Sequence, residues 1–276
     1  MPPEARRGQV RAITSLQNER VKLIRALEMR KVRRETGLFV AEGASVLITA
    51  RDAGWVPKIL AFLAGSAETG VNRALLAWAE AGGAECLAVS EAVLGKLAAK
   101  DNPQTMLAVF EQRWAGEPDP ATIGGDATWL ALEAVRDPGN LGTIIRTLDA
   151  VGAGGVILVG NCVDPYSREA VRATMGSIFN VTVVRMTADS FLAWAATWPG
   201  DIVGTQPAAD EDFRRVSYRA PTLLLMGSEG PGLSPELAAV CSRLVKIPMA
   251  GRLDSLNLAV ATALVLYEIR GERLRG

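Results

Sequence analysis

The sequence predicts an α/β protein whose larger, C-terminal part is built on a mainly parallel sheet with helices on both faces. Three observations predict it. Short apolar runs of strand length alternate with helix-length amphipathic segments along most of the chain. One of those runs, Thr128–Val135, is nearly continuously apolar, as a strand buried on both faces is. Three polar, glycine-bearing loops also follow strand candidates in the C-terminal half, which is how an open α/β sheet builds a ligand crevice.

The elements follow in order. Leu38-Phe39-Val40 reads as a strand, Ala44 to about Ala53 as a helix, and Lys58–Leu63 as the next strand. A helix around Val71–Ala81 places Leu75, Leu76, Trp78 and Ala79 on its apolar side. Strand Glu85–Val89, a helix from Ser90 to Ala99 and strand Met106–Phe110 complete a first block. Residues 114–127 are rich in Gly and Pro and lack periodicity, as a linker does. The second block holds strands at Thr128–Val135, Gly155–Val159, Val181–Arg185, Asp201–Gly204, Thr222–Met226 and Leu244–Ile247. Helices are expected at about Gly142–Val151, Arg168–Gly176, Ser190–Trp198 and Leu258–Arg270. A further one opens at Ser234-Pro235-Glu236, with a capping serine, proline in the first turn and an acid beside it. The division expected is therefore 1–113, a linker at 114–127, and 128–276.

Composition narrows the chemistry. The 276 residues are 49% hydrophobic, enough to build a core. No apolar run is long enough to span a bilayer, and the opening Met-Pro-Pro-Glu-Ala-Arg-Arg has no apolar signal region, so a cytoplasmic protein is expected. Cys86, Cys162 and Cys241 are odd in number and widely spaced, which suits reduced thiols and no metal. There is no histidine, so Ser-His-Asp and Cys-His hydrolase chemistry is excluded and a zinc site is disfavoured. The net charge is zero but unevenly placed. Residues 1–35 carry ten Lys/Arg (Arg6, Arg7, Arg11, Arg20, Lys22, Arg25, Arg30, Lys31, Arg33, Arg34) against four Glu. Such an arm is either a solvated helix face or a contact with a polyanion.

The three loops carry the functional signal. Gly227-Ser228-Glu229-Gly230-Pro231-Gly232 lets backbone N–H groups approach a ligand, yet it is neither a P-loop nor G-x-G-x-x-G. A nucleoside ligand without a pyrophosphate fits it better than a dinucleotide; a turn with a helix cap is the plainer alternative. Asn140 and Arg146 lie around a helix start, and Arg146 sits among Ile144, Ile145 and Leu148. A guanidinium in such a run needs either a structural carboxylate or a phosphate partner. Ser255 and Asn257 bracket Leu256 before an alanine-rich helix, which either could cap.

Taken together, Asn140-Leu141-Gly142…Arg146-Thr147, Gly227–Ser234, and Ile247-Pro248-Met249…Ser255-Leu256-Asn257 followed by Ala263–Glu268 resemble the three ordered motifs of the SpoU (TrmH-like) branch of the SPOUT RNA methyltransferases. The resemblance spans the second block. More loosely, the first block, with Ile13–Lys22 and Phe39-Val40-Ala41-Glu42-Gly43, is similar to the L30e-like substrate-binding domain of the ribosomal RNA members. The resemblance implies a deep trefoil knot (α/β-knot), S-adenosyl-L-methionine as cofactor, a homodimer, and methylation of a ribose 2′-hydroxyl in ribosomal RNA, with 23S rRNA the expected substrate. It implies cofactor-binding roles for Gly227, Ile247 and Leu256, and active-site roles for Asn140, Arg146, Glu229, Ser255 and Asn257. In the family it resembles, the arginine serves a site whose cofactor is held mainly by the other subunit. Arg168, Arg172 and Ser177 are named as RNA contacts, with the basic arm at Arg20–Arg34 the better candidate for gripping RNA phosphates. A transfer-RNA 2′-O-methyltransferase and a non-catalytic RNA-binding or ribosome-assembly factor of the same fold are the competing readings.

Overall fold

The computed structural model describes residues 10–68, 70–98 and 104–274; Arg6, Arg7 and Ala99, named above, lie outside them. The chain forms two compact units. The first comprises residues 1–112 together with 164–180, and the second comprises residues 113–163 and 181–276.

The first unit has a five-stranded mixed sheet. Its strands are β1 (Arg11–Ile13), β2 (Leu38–Glu42), β3 (Ile59–Leu63), β4 (Glu85–Val89) and β5 (Met106–Glu111), in the order β1-β4-β3-β5-β2. β5 runs antiparallel to both its neighbours, β2 and β3, while β4 is parallel to β1 and β3. Helices α3 (Ala44–Asp52), α4 (Gly70–Ala81) and α5 (Glu91–Leu97) connect the strands. Ser90 caps α5 by accepting from the Val93 N–H. The basic arm is resolved into strand β1 and two further helices, α1 (Glu19–Ala26) and α2 (Arg30–Thr36). Val21 and Ile24, three apart on α1, face a core that includes Val93, Leu94 and Leu97 of α5.

One of the arm's arginines is structural. Arg33 is 4% exposed. Its Nε donates to Asp164 Oδ2 at 2.8 Å, and Nη1 donates to the Leu27 and Glu28 carbonyls, both at 2.8 Å. Asp164 accepts in turn from the Tyr166 N–H. A charge this deeply buried needs such partners. Asp164 opens a segment, residues 164–180, that the sequence pattern assigns to the second block but that packs within the first unit. Tyr166 lies against Phe39, with ring centroids 4.8 Å apart, and Phe179 lies against Phe110 at 4.9 Å and edge-on to Trp55 at 5.1 Å. The Trp55 indole N–H donates to the Phe179 carbonyl. Helix α7 (Arg168–Ala173) lies inside this segment, capped by Ser167.

The second unit has a seven-stranded sheet: β6 (Thr128–Glu133), β7 (Gly155–Val159), β8 (Thr182–Met186), β9 (Asp201–Thr205), β10 (Glu211–Asp212), β11 (Thr222–Met226) and β12 (Arg243–Lys246). The order is β10-β12-β9-β11-β6-β7-β8, and every pairing is parallel. The interior strands β7 and β11 are buried along their whole length, as their apolar sequences require. Helices α6 (Pro138–Ala150), α8 (Ala188–Ala195), α9 (Pro235–Ala239) and α10 (Leu258–Arg270) complete the unit, and α10 packs on α6 and β11. On one face Trp129, Phe191, Trp194 and Trp198 fill a single apolar cluster with Leu223 and Leu225. Residues 114–127, expected as a linker, include Ala115, which bridges to Val184, and Trp114, whose ring lies under the Arg185 guanidinium.

Removing one partner of the Arg33–Asp164 pair strands the other charge in the core. Asp164→Ala should cost about 3–5 kcal/mol of stability, and Asp164→Leu combined with Arg33→Met distinctly less. Urea unfolding of the full chain, followed by tryptophan fluorescence, measures both.

Candidate active site at the strand ends

Because the seven strands are parallel, the carboxyl ends of β6, β9, β11 and β12 open on one edge of the sheet. Each is followed by a loop. Together the segments after β9, β11 and β12 enclose a cleft of about 680 Å³. Gly227, Glu229, Ile247, Ser255, Leu256 and Asn257 all line it. It is walled by the apolar Met226, Val245 and Leu258 as well as by backbone-rich loop.

The loop after β11 has little room for side chains. A Cβ on Gly227 would stand 1.9 Å from the Gly232 carbonyl carbon, so the chain can close on itself here only through glycine. Gly232 has φ +74°, in the left-handed region, and its N–H donates to the Ser228 carbonyl. Beyond it, the Ser234 N–H donates to Glu133 Oε2 at 2.8 Å, tying the loop to the end of β6. Ser234 also caps α9.

Three side chains link three loops. Asn257 Nδ2 donates to Asn140 Oδ1 at 2.9 Å, and Asn140 Nδ2 donates to Glu229 Oε1 at 2.9 Å. Glu229 Oε2 accepts from the Arg136 backbone N–H at 3.4 Å. The direction of this chain is forced from both ends. Asn257 Oδ1 is occupied by the Ala259 and Val260 N–H groups at the start of α10, so only its amino group can face Asn140. An ionised Glu229 can only accept, so Asn140 must turn its amino group towards it. Partial burial pushes the Glu229 carboxyl upward. Hydrogen bonds from Asn140 and from backbone N–H groups, including those of Arg136 and Asp137, outweigh this and hold it below the usual range.

Asn140 is positioned by a helix start that lies earlier than the sequence pattern places it. Helix α6 begins at Pro138, capped by Asp137, whose Oδ1 accepts from the Asn140 N–H at 2.6 Å. Asp137-Pro138 is itself a capping signature and contains the signal for this boundary. Six residues along an α-helix is about 120° of rotation from the starting direction, so Asn140 and Arg146 leave α6 on different faces. Arg146 is exposed and does not line the cleft of its own chain. Among the described residues its side chain has neither the carboxylate partner of a structural ion pair nor a hydrogen bond.

The remaining expected residues separate clearly. Asn257 is both helix cap and member of the polar chain. Ser255 lines the cleft without capping α10; its Oγ donates to Asp254 at 3.4 Å. Of the residues named as conceivable RNA contacts, Arg172 is exposed, whereas Ser177 is buried. The Arg168 side chain is 9% exposed and is committed to Glu28 at 2.7 Å and Glu42 at 2.6 Å. Glu133, Asp137 and the Arg136 N–H adjoin the polar chain and its loops although none was among the candidate residues. Burial pushes the Cys86 thiol up to about 11 and Cys241 to about 12, so neither is a thiolate at neutral pH. Among the described residues, no three His, Cys, Asp or Glu side chains are grouped to hold a metal ion.

A carboxyl held below its ordinary pKa stabilises the fold above the unfolded value, and that contribution is lost as pH falls through the folded value. Glu229→Gln should therefore lower the thermal midpoint at pH 7, with the difference from wild type shrinking below about pH 4.5. Melts between pH 3 and 7 check this; an unchanged difference at pH 3 would contradict the ionised network.

Comparison with known proteins places this geometry. Residues 127–267 match the SpoU rRNA Methylase family, and residues 18–108 match the MRM3-like substrate binding domain. The 23S rRNA (guanosine(2553)-2′-O)-methyltransferase RlmP of Bacillus subtilis is 30% identical over 263 residues, 95% of this chain and 100% of that one. The 23S rRNA (uridine(2479)-2′-O)-methyltransferase of Streptomyces viridochromogenes is 33% identical over 254 residues, 90% of this chain and 87% of that one. The crystal structure of an AdoMet-bound rRNA methyltransferase from Sinorhizobium meliloti superposes with a TM-score of 0.88 at 44% identity, covering 96% of this chain and 99% of that one. With the family match over the parallel-sheet unit and relatives similar along nearly the full length, the chain belongs to the SpoU rRNA methylase family.

Proposed function

We propose that this chain is an S-adenosyl-L-methionine-dependent methyltransferase that methylates a ribose 2′-hydroxyl of 23S ribosomal RNA. The observation that carries the reading is the strand-end cleft, closed by the Asn257–Asn140–Glu229 chain, in a protein similar over nearly its whole length to two enzymes named for that reaction. The cleft suits the cofactor. Its glycine loop and apolar walls suit an adenosyl group, and the loop sequence is neither a P-loop nor the dinucleotide fingerprint. Gly227, Ile247 and Leu256 are the residues assigned to hold it. When bound, S-adenosyl-L-methionine supplies a methyl group activated by a sulfonium.

The protein's task is then to place a 2′-oxygen in line with that methyl and to stabilise the charge that develops on it. Arg146 is assigned this role: its guanidinium is permanently charged and can grip the hydroxyl oxygen and a neighbouring phosphate together. It cannot accept the proton, because guanidinium does not ordinarily deprotonate in proteins. Glu229 is also a poor acceptor, since its hydrogen bonds hold the carboxyl below its usual range. We assign the proton to water or to an RNA phosphate. Glu229, Asn140 and Asn257 instead fix the relative positions of the three loops, and Ser255 contributes a hydroxyl to the cleft wall.

The active unit is proposed to be a homodimer. Arg146 does not line its own cleft, which supports a site completed by a second copy. Helix α10 leaves Val260, Leu264 and Tyr267 exposed by 50%, 42% and 51% at helical spacing, an apolar stripe that a second copy would cover. No described helix is long and apolar enough to cross a membrane, and a cytoplasmic location is proposed with the RNA substrate.

Arg146→Ala should lower methyl transfer to a 23S transcript by about 10²–10³-fold while leaving cofactor binding in place. Gly227→Ala, by forcing the loop open, should abolish cofactor binding. Neither variant is active alone, but mixing and reassorting the two should restore about one quarter of wild-type activity, because each mixed dimer regains one intact site. Mixed dimers that form and stay inactive would rule out a shared site.

A further inference from the structure

The first unit contains a second concavity, of about 490 Å³, lined by Lys22, Arg25, Ala26, Glu28, Met29, Lys96 and Arg168. We infer that Lys22, Arg25 and Lys96 form a binding site for RNA backbone phosphate, so that this cavity is where the first unit grips the ribosomal RNA substrate. This rests on the proposed RNA substrate and names the part of the surface that holds it.

Of the four cations that line the cavity, these three are the ones not held by a carboxylate among the described residues. Arg11 and Arg20 both pair with Glu85, at 3.2 and 2.6 Å. Arg33 is buried against Asp164, and Lys31 lies 3.9 Å from Glu35. Arg168, on the cavity wall, is held by Glu28 and Glu42 and by the Leu97 carbonyl. Glu28, the one carboxylate among the described lining residues, is therefore already neutralised. Lys22, Arg25 and Lys96 are exposed, and none of their side chains has an ion pair or hydrogen bond among the described residues.

Their convergence follows from the packing. Val21 and Ile24 turn one stripe of α1 into the core against α5, which brings the neighbouring stripe, Lys22 and Arg25, beside Lys96 in the last turn of α5. Lys22 and Arg25 are three residues apart, a spacing at which like charges repel unless an anion lies between them. On the rim Met29 is 56% exposed, an apolar and adaptable surface suited to a ribose or base beside the bound phosphate. The size of the cavity admits more than a single phosphate, as a nucleotide backbone requires.

The test uses the full-length protein, a fluorescent 23S rRNA transcript, and anisotropy at several salt concentrations, with methyl transfer assayed separately. Lys22→Ala with Arg25→Ala should weaken RNA binding and lower the salt slope of log affinity by about 0.7–0.9 for each phosphate no longer neutralised. Lys96→Ala, on a different helix, should do the same for a single phosphate, and Lys22→Arg should bind as wild type; thermal melts report the folded state of each. If all variants bind with wild-type affinity and slope, the cations only balance the ends of their helices and the site is refuted. If wild type binds the RNA through these residues yet transfers no methyl group, the binding site stands and the proposed activity falls.

Discussion

The amide of Asn140 is the point on which the catalytic unit depends. It touches both the loop after β11, through Glu229, and the loop after β12, through Asn257, while its own backbone sits in the first turn of the helix after β6. Three strand ends are thereby held in one arrangement by side chains with no freedom to exchange donor for acceptor. Replacing the amide by a carboxylate would set two acceptors against each other at Glu229, and an apolar group would leave both neighbours unpaired. The polar chain also explains why Glu229 is best understood as a structural anion: the hydrogen bonds that fix it also make it a weak base.

The parallel sheet makes this arrangement possible. With every strand running the same way, loops from residues more than 100 positions apart, such as 133–140 and 247–257, emerge at one edge. A glycine at position 227 lets the β11 loop fold back tightly enough to leave an open cleft beside it. The last loop carries Leu253 at 73% exposure, and α10 carries its uncovered apolar stripe. Exposed apolar surface of this kind is characteristic of contact sites, and α6 carries an exposed arginine, Arg146, as well.

The first unit shows how little a run of basic residues says before it is folded. Identical charges became a buried strut (Arg33), surface pairs with Glu85 (Arg11 and Arg20), and unpaired cations at a cavity (Lys22 and Arg25). Segment 164–180 shows the same principle for apolar residues. Tyr166 and Phe179 complete an aromatic core whose other members, Phe39, Trp55 and Phe110, lie far earlier in the chain. Their partners were set by long-range packing, which local periodicity does not encode.

By itself the sequence determined the alternation of strands and helices, the buried character of β6, the caps at Ser90 and Ser234, and the three polar loops at strand ends. These are local properties, written in hydrophobic period and in residues with special backbone or capping behaviour. Tertiary structure alone decided that β5 runs antiparallel in the first sheet, that residues 164–180 pack within the first unit, and that Asn140 and Arg146 diverge from one helix. It also decided that Asn257 serves as cap and hydrogen-bond donor at once. The physical reason is common to all of these: a strand's direction and a polar side chain's partner depend on what lies across space, and a hydrogen bond or buried charge is satisfied by whichever group the completed fold brings within reach.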